Sequence, residues 1–178
     1  MRKVSIIPRG RALGVTISTP EADRYGYDAN YLRGRIVGAL GGMAAEHEVF
    51  DVVTTGSESD LEMVTRIARS MVGRWGMSDR VGKLSVLPAD GDPRMAGISD
   101  SMLNAVDEEV RRITDECYAD ARRILKENRN KLDAIVKQLL LHETLDEPDV
   151  YAAAGVPTPP KTAEAAANKV AARTVPHG

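Results

Sequence analysis

The sequence is poor in residues and patterns that mark several classes of protein. It has 178 residues but a single cysteine, and aromatic residues make up only 4% of the chain. With Cys117 alone, neither an intramolecular disulfide nor a cysteine-rich zinc site can form. This cysteine content is typical of a reducing, cytosolic compartment.

Long apolar runs and an excess of positive charge are also missing. No stretch approaches about 18 consecutive apolar residues, and the apolar run at the N-terminus is too short for a signal peptide. The 24 Lys and Arg residues face 26 Asp and Glu residues, which leaves a net charge of −2. Because phosphate binding needs a cationic face, this balance argues against a nucleic-acid partner. The composition predicts a soluble chain that folds as one domain.

The spacing of apolar residues predicts a mainly α fold with a small β element at its start. Two β-branched runs, Val4–Ile7 and Leu13–Ser18, predict two short strands. Apolar residues recur every three or four positions further along, which predicts helices over residues 28–50, 59–75, 100–128 and 131–142.

The C-terminal part is expected to contain a long antiparallel helical hairpin and a tail. The hairpin comprises the third and fourth predicted helices, which are joined by a short turn at Asn128–Asn130. Asp146 can cap a short last helix. The sequence after Gly155 has few large apolar residues, so we expect residues 156–178 to be a disordered tail.

Two local patterns concern the first two helices. Ser59 and Glu62 have the spacing of a capping box that would open the second helix. Glycine costs about 1 kcal/mol in a helix relative to alanine, so glycines inside the first helix predict the close approach of another backbone. These glycines are Gly34, Gly38, Gly41 and Gly42.

The first pattern with possible chemistry is His47-Glu48-Val49-Phe50-Asp51. It is similar to the zinc-binding HExxH helix with its second His replaced by Asp, and residues four apart share a helix face. However, Asp51 falls where the helix should end, and an acid there opposes the helix dipole. We therefore favour a structural or exposed histidine at this helix end.

The second candidate is Asp60, in the first turn of the second predicted helix. A carboxylate at this position can be a metal ligand held by a fixed backbone, or an acid stabilised by the positive end of the helix dipole. The residues alone favour the dipole role.

Several short strings, in fixed order and spacing, resemble a known family. They are Lys3–Thr16, Leu40–Gly42 with Ala45–Glu46, Val53–Gly56 with Asp60–Leu61, Ile67–Arg69 with Met71–Val72, and Arg74–Ser78. Together they resemble the peptidase domain of the FtsH family, the membrane-anchored ATP-dependent zinc metalloproteases. The resemblance extends from residue 2 to about residue 155. It identifies residues 1–155 as the C-terminal part of such a domain.

The resemblance implies site residues. In the family, two histidines of an HExxH helix and a later Asp hold zinc, and that Asp falls on Asp60. Here Ser57, Glu58 and Ser59 depart from the family's Gly-Ala-Ser-Asn-Asp motif, but the ligand position is kept. Glu46 matches a family glutamate near the metal, with an implied supporting role. An extended substrate would pair with the edge strand formed by Leu13, Gly14, Val15, Thr16 and Ile17.

The sequence lacks the parts of the family that lie upstream of the first string. These are the HExxH helix with the general base, the ATPase module and the membrane anchor. We therefore expect either a piece of a longer protease or a truncated relative, and we expect no protease activity from this chain alone. Without the upstream helix, we also expect apolar surface on the helix that carries Ile36 and Leu40 to be uncovered, which favours aggregation or oligomerisation.

The resemblance also implies cofactors, partners and location. It implies Zn²⁺ in the intact parent, ATP through the ATPase module only, a polypeptide substrate and a hexameric homo-oligomer. It implies a cytoplasmic domain of a membrane-associated parent that degrades unfolded or membrane proteins. The alternative is a non-catalytic helical assembly module or a truncated pseudo-protease.

Overall fold

The computed structural model describes residues 2–8, 14–17, 26–88 and 90–158. Within these residues the chain is mainly helical with a small sheet, which confirms the predicted fold class. The elements are β1 (Lys3–Ser5), β2 (Val15–Ile17), α1 (Ala29–Phe50), α2 (Glu58–Gly73), α3 (Asp100–Glu127), α4 (Arg129–His142), β3 (Thr144–Asp146) and α5 (Glu147–Ala154). Two 3₁₀ turns, Thr55–Ser57 and Pro93–Ala96, complete the described secondary structure.

The chain divides into two compact units. The helical unit is Gly26–Glu127 and contains α1, α2 and α3. The mixed unit combines Met1–Tyr25 with Asn128–Gly178 and contains the three strands, α4 and α5.

In the helical unit, α1, α2 and α3 pack on one another around a single apolar core. Ile36 of α1, Met71 of α2 and Val106 of α3 are fully buried in this core. Burial of each such side chain contributes about 1.5–3 kcal/mol. Ile36 and Leu40 themselves are covered by α2 and α3, with exposed fractions of 0% and 3%. The same helix leaves Phe50 at its end 71% exposed, and the expected aggregation or oligomerisation stays a prediction.

In the mixed unit, the sheet has the order β2-β1-β3 with both pairs antiparallel. Val4 of β1 pairs with Thr16 of β2 and with Leu145 of β3. Leu145 is buried with Leu139 of α4 and Val150 of α5. The sequence did not predict β3, because three residues are too few to show a strand period. Asp146 precedes α5 at the N-cap position as predicted, although its side chain makes no capping hydrogen bond.

The apolar stripes of α3 and α4 are covered to different extents. The stripe of α3 packs on α1 and α2. Helix α4 packs on α5 and β3 and buries Leu139, whereas Val136 and Leu140 of its stripe are 43% and 72% exposed. Both helices have nearly the predicted bounds, and their packing as an antiparallel hairpin stays a prediction.

The start and end of α2 differ from the prediction. The 3₁₀ turn Thr55–Ser57 runs directly into the helix, so Ser57 takes the N-cap position and Glu58 begins α2. The predicted capping box at Ser59 is therefore wrong, since Ser59 already lies inside the helix. At the other end, α2 stops at Gly73, and Trp75 is half exposed beyond it.

The glycines of α1 do not meet another backbone in the described parts of the chain. A Cβ added at Gly34, Gly38, Gly41 or Gly42 would find no atom within 4 Å, so the prediction of close packing was wrong. A Cβ at Gly14 would lie 2.8 Å from the carbonyl oxygen of Ser5. Gly14 is thus a position where two backbones do approach closely.

Two earlier predictions lie wholly or partly outside the described residues. Leu13 of the proposed substrate strand is not described, and neither are residues 159–178 of the predicted tail. Among the helices that are described, none combines the length and apolar content needed to cross a membrane.

Candidate metal-ligand site

A short turn between α1 and α2 determines where Asp60 lies. Thr54 is extended, and its Oγ1 accepts a hydrogen bond from the backbone N–H of Gly56 at 3.2 Å. The Ser57 hydroxyl donates to the carbonyl oxygen of Thr54 at 3.4 Å. These local bonds favour a tight turn over a longer loop, and the chain enters α2 directly from it.

Glu46, near the end of α1, holds the start of this turn. Its carboxylate accepts hydrogen bonds from the backbone N–H of Thr54 at 3.1 Å and from the Thr54 hydroxyl at 3.0 Å. Hydrogen bonds to an ionised carboxylate are stronger than those between neutral groups. Glu46 therefore ties the turn to α1, eight positions away in the sequence.

Asp60 lies in the first turn of α2 and is half buried. It shares a helix face with the buried residues Val64, Ile67 and Met71, at the N-terminal end of the packed stripe. Within the described residues its carboxylate accepts no hydrogen bond and forms no ion pair. A carboxylate on a rigid helix start, with both oxygens unengaged, suits a metal ligand.

The described residues do not form a complete metal site. No group of three or more His, Cys, Asp or Glu side chains in the described ranges is placed to hold a metal ion. Zinc takes three protein ligands in catalytic sites and four in structural sites. This part of the chain can therefore supply one ligand, Asp60, and its supporting turn.

The HExxD pattern in α1 is engaged in structural contacts. His47 Nδ1 is 3.0 Å from the hydroxyl of Tyr118, and Asp51 ends α1 in a left-handed conformation with a fully solvated side chain. Glu48 is bonded to Arg122 and paired with Lys126. The hydrogen bond from Arg122 lowers the pKa of Glu48, which makes it a weaker base. This geometry favours the structural interpretation of the pattern.

The proposed substrate strand forms one edge of the sheet. Among the described strands, β2 pairs only with β1, and Thr16 and Ile17 are exposed. An exposed strand edge presents main-chain N–H and C=O groups to which an extended peptide can add. The strand is part of the mixed unit, whereas Asp60 and Glu46 are part of the helical unit.

Comparison with known proteins assigns the family. The profile of Peptidase family M41 matches residues 1–153. The chain belongs to this family. It is 51% identical over its full length to the ATP-dependent zinc metalloprotease FtsH 3 of Conexibacter woesei, covering 26% of that protein. It is 50% identical to the FtsH of Thermobaculum terrenum and 41% identical to that of Bacillus subtilis, over 88% and 82% of this chain and 25% and 24% of those proteins. The chain thus spans about a quarter of the length of these curated relatives.

One family-like string of this M41 chain proves to be structural. Ser78, in the string Arg74–Ser78, is buried and donates a hydrogen bond to Glu109 Oε2 at 2.8 Å. Arg112 donates to both oxygens of Glu109, at 2.9 and 3.0 Å. These bonds, Arg112 first, lower the pKa of the buried Glu109 carboxyl despite its desolvation. The sequence signal was present, because Glu109 lies beside Val106, Val110 and Ile113 on the apolar stripe of α3.

Proposed function

We propose that this chain forms part of the active site of an ATP-dependent zinc metalloprotease, to which Asp60 contributes a zinc ligand. The observation that supports this most is the half-buried Asp60 carboxylate, which has no partner in the described residues and follows a turn held by Glu46. When bound, zinc lowers the pKa of a water and polarises the scissile carbonyl.

The residues of this chain would divide the remaining work. The Glu46 carboxylate fixes Thr54, and through the turn it fixes the position of Asp60. The edge of β2, from Gly14 to Ile17, would bind an extended polypeptide by main-chain hydrogen bonds, which gives loose side-chain specificity. The general base and the two histidine ligands would come from an HExxH helix.

The wider setting is also part of the proposal. The relatives are ATP-dependent zinc metalloproteases by name, which supports ATP-dependent proteolysis with zinc. An unfolded or membrane polypeptide would be the substrate, and a homo-hexamer of a membrane-associated parent would be the working assembly, with this domain on the cytoplasmic side.

The test is a chimera in which this chain replaces the matching segment of the Conexibacter woesei relative. The measurements are zinc content per polypeptide and chelator-sensitive cleavage of casein. Asp60→Ala should lose bound zinc and cleavage together, because a catalytic site cannot spare one of three ligands. Glu46→Gln should weaken metal affinity or activity by about 10–100-fold, since it only supports the ligand.

A matched control distinguishes the loss of a zinc ligand from the loss of an acid in the first turn of a helix. Asp149→Ala removes an exposed acid from the first turn of α5 and should keep both zinc and cleavage. Normal zinc content in the Asp60→Ala chimera would reduce Asp60 to a helix-stabilising acid. If the unmutated chimera folds and assembles but binds no zinc, the non-catalytic assembly module becomes the better assignment.

The chain alone gives a further check. The 178-residue protein without the HExxH segment should not cleave casein. Zinc-dependent cleavage by it would contradict the proposal, and His47→Ala would then test the HExxD pattern.

A further inference from the structure

A groove of about 1070 Å³ runs along the exposed face of α2, inside the helical unit. Leu61 of α2 and the apolar residues Leu87, Pro88 and Pro93 line it. Leu61 is 41% exposed, so it presents an apolar surface to the groove. Hydroxyl groups of Thr55, Thr65 and Ser70 also line the groove and can form hydrogen bonds with a main chain.

The groove lies on the side of α2 away from Asp60. Leu61, Thr65 and Arg69 follow one another at four-residue spacing and share the groove face. Asp60 shares the opposite face with the buried Val64 and Met71. Asp60 therefore does not line the groove, although the turn that precedes it does.

Charges in the groove are segregated along its length. Glu58 and Glu62 line the end at the start of α2, whereas Arg66, Arg69 and Arg74 line the other end. Arg69 is engaged with Asp107 at 2.9 Å. Arg66 and Arg74 have no ion-pair partner in the ranges that the structure describes. Glu58 in the first turn of α2 suits the helix dipole, but α2 has no basic residue in its last turn, so the dipole does not explain Arg66 in the middle of the helix.

The size and charge of the groove select its class of ligand. Its volume is at the upper limit of small-molecule pockets, which reach about 1,000 Å³. The distance along α2 from Glu58 to Arg74 is about 24 Å, at about 1.5 Å per residue. That length accommodates about seven residues of extended peptide at about 3.3 Å each. Glu58 and Glu62 would repel the phosphates of a nucleic acid or an anionic lipid.

We infer that this groove binds an extended segment of a partner polypeptide, with acidic side chains of the segment at Arg66 and Arg74 and apolar side chains on Leu61, Pro88 and Pro93. A basic side chain of the same segment would face Glu58 and Glu62. The inference needs neither zinc nor protease activity, because the groove is formed by the helical unit and Asp60 does not line it. It adds a docking surface for polypeptides to the edge of β2.

The test measures binding of fluorescent peptides to the full chain by anisotropy. The probe is an eight-residue peptide (about the length of the groove) with lysine at one end, leucines in the middle and two glutamates at the other end. Arg66→Glu combined with Arg74→Glu should weaken binding by about tenfold or more. Arg111→Glu changes an exposed arginine of α3 outside the groove and should leave binding unchanged.

A charge-reversed probe distinguishes a loss of charge pairing from misfolding of the double variant. This peptide carries lysines in place of the two glutamates, and it should bind the Arg66→Glu, Arg74→Glu protein better than the unmutated chain. Such a reversal of preference cannot come from misfolding. Equal binding of both probes to the unmutated chain, or no loss in the double variant, would overturn the inference. Stronger binding of single-stranded DNA or anionic vesicles than of the acidic probe would also overturn it.

Discussion

The helical unit contains two polar clusters whose hydrogen-bonding capacity is used differently. Around Glu109, Ser78 and Arg112 engage both carboxylate oxygens, and the described buried side-chain polar atoms all have partners. At the turn before α2, Glu46 is engaged by Thr54, but Asp60 in the first turn of α2 has no partner among the described residues.

This difference distinguishes two reasons why a residue can match the strings of the family resemblance. Ser78 belongs to a specific string of the resemblance, yet its bond to Glu109 satisfies it entirely inside the core. Asp60 also belongs to such a string, but its carboxylate has no partner among the described residues. A polar group whose hydrogen bonds are all made inside the core stabilises the fold. A polar group at a fixed position that has no partner is available to a ligand.

The largest expected loss of stability comes from replacing Glu109, which accepts the hydrogen bonds of its cluster. Glu109→Ala leaves the buried Ser78 hydroxyl without its partner and should lower the free energy of unfolding by about 2–3 kcal/mol. Arg112 is half exposed, so it can regain solvent and adds little to this cost. Urea unfolding followed by the fluorescence of Trp75, the single tryptophan, measures it. A loss below about 1 kcal/mol would show that water replaces Glu109 at Ser78.

The second expected effect is smaller and concerns the turn. Glu46→Ala removes the acceptor for the N–H and the hydroxyl of Thr54, but these groups are exposed and can bond to water. We expect a loss of about 1 kcal/mol in the free energy of unfolding. Thr54→Ser keeps the hydroxyl and is the matched control. A loss as large as that of Glu109→Ala would mean that the turn, like the core cluster, is needed for folding.

Part of this comparison could be predicted from sequence. Asp60 could be placed in the first turn of α2, because helix periodicity fixes its position to within two residues. The bond from Glu46 to Thr54 could not be predicted, since it depends on the path of the chain between two helices. The 3₁₀ turn Thr55–Ser57 also shifted the helix start by one residue and removed the expected capping box.

Other elements depended on tertiary context. Glu109 was visible as an acid within an apolar stripe, but only the position of Ser78 shows why it is buried. The glycines of α1 were read as a packing surface, yet a missing side chain is compatible with either a close neighbour or open space. The partners of α3 and α4 could not be read from their stripes, because an apolar stripe does not identify the surface that covers it.

The third prediction concerns how the Glu109 cluster makes the free energy of unfolding depend on pH. The pKa of Glu109 is lowered in the folded protein, chiefly by Arg112, relative to its ordinary value of 4.5. Its contribution to stability is therefore complete above pH 4.5 and is lost as the pH falls through the lowered value. The fall of stability in this acid range should be shallower for Glu109→Gln than for the unmutated chain. If stability falls equally steeply with pH in both proteins, other carboxylates cause the loss of stability in acid. Glu116, beside Arg33 and Arg112, is one such carboxylate.

The smallest expected change in the free energy of unfolding is that of Asp60→Ala. The same substitution has the largest expected effect on function. Asp60→Ala removes only a favourable interaction with the start of α2, which is worth about 0.3–1 kcal/mol. Relief of desolvation at this half-buried position offsets part of that loss. The unfolding midpoint of the chain should therefore move little, while the zinc content of the chimera should fall. A loss of about 2 kcal/mol or more would show that Asp60 stabilises the fold as Glu109 does, and the contrast between the two clusters would then disappear.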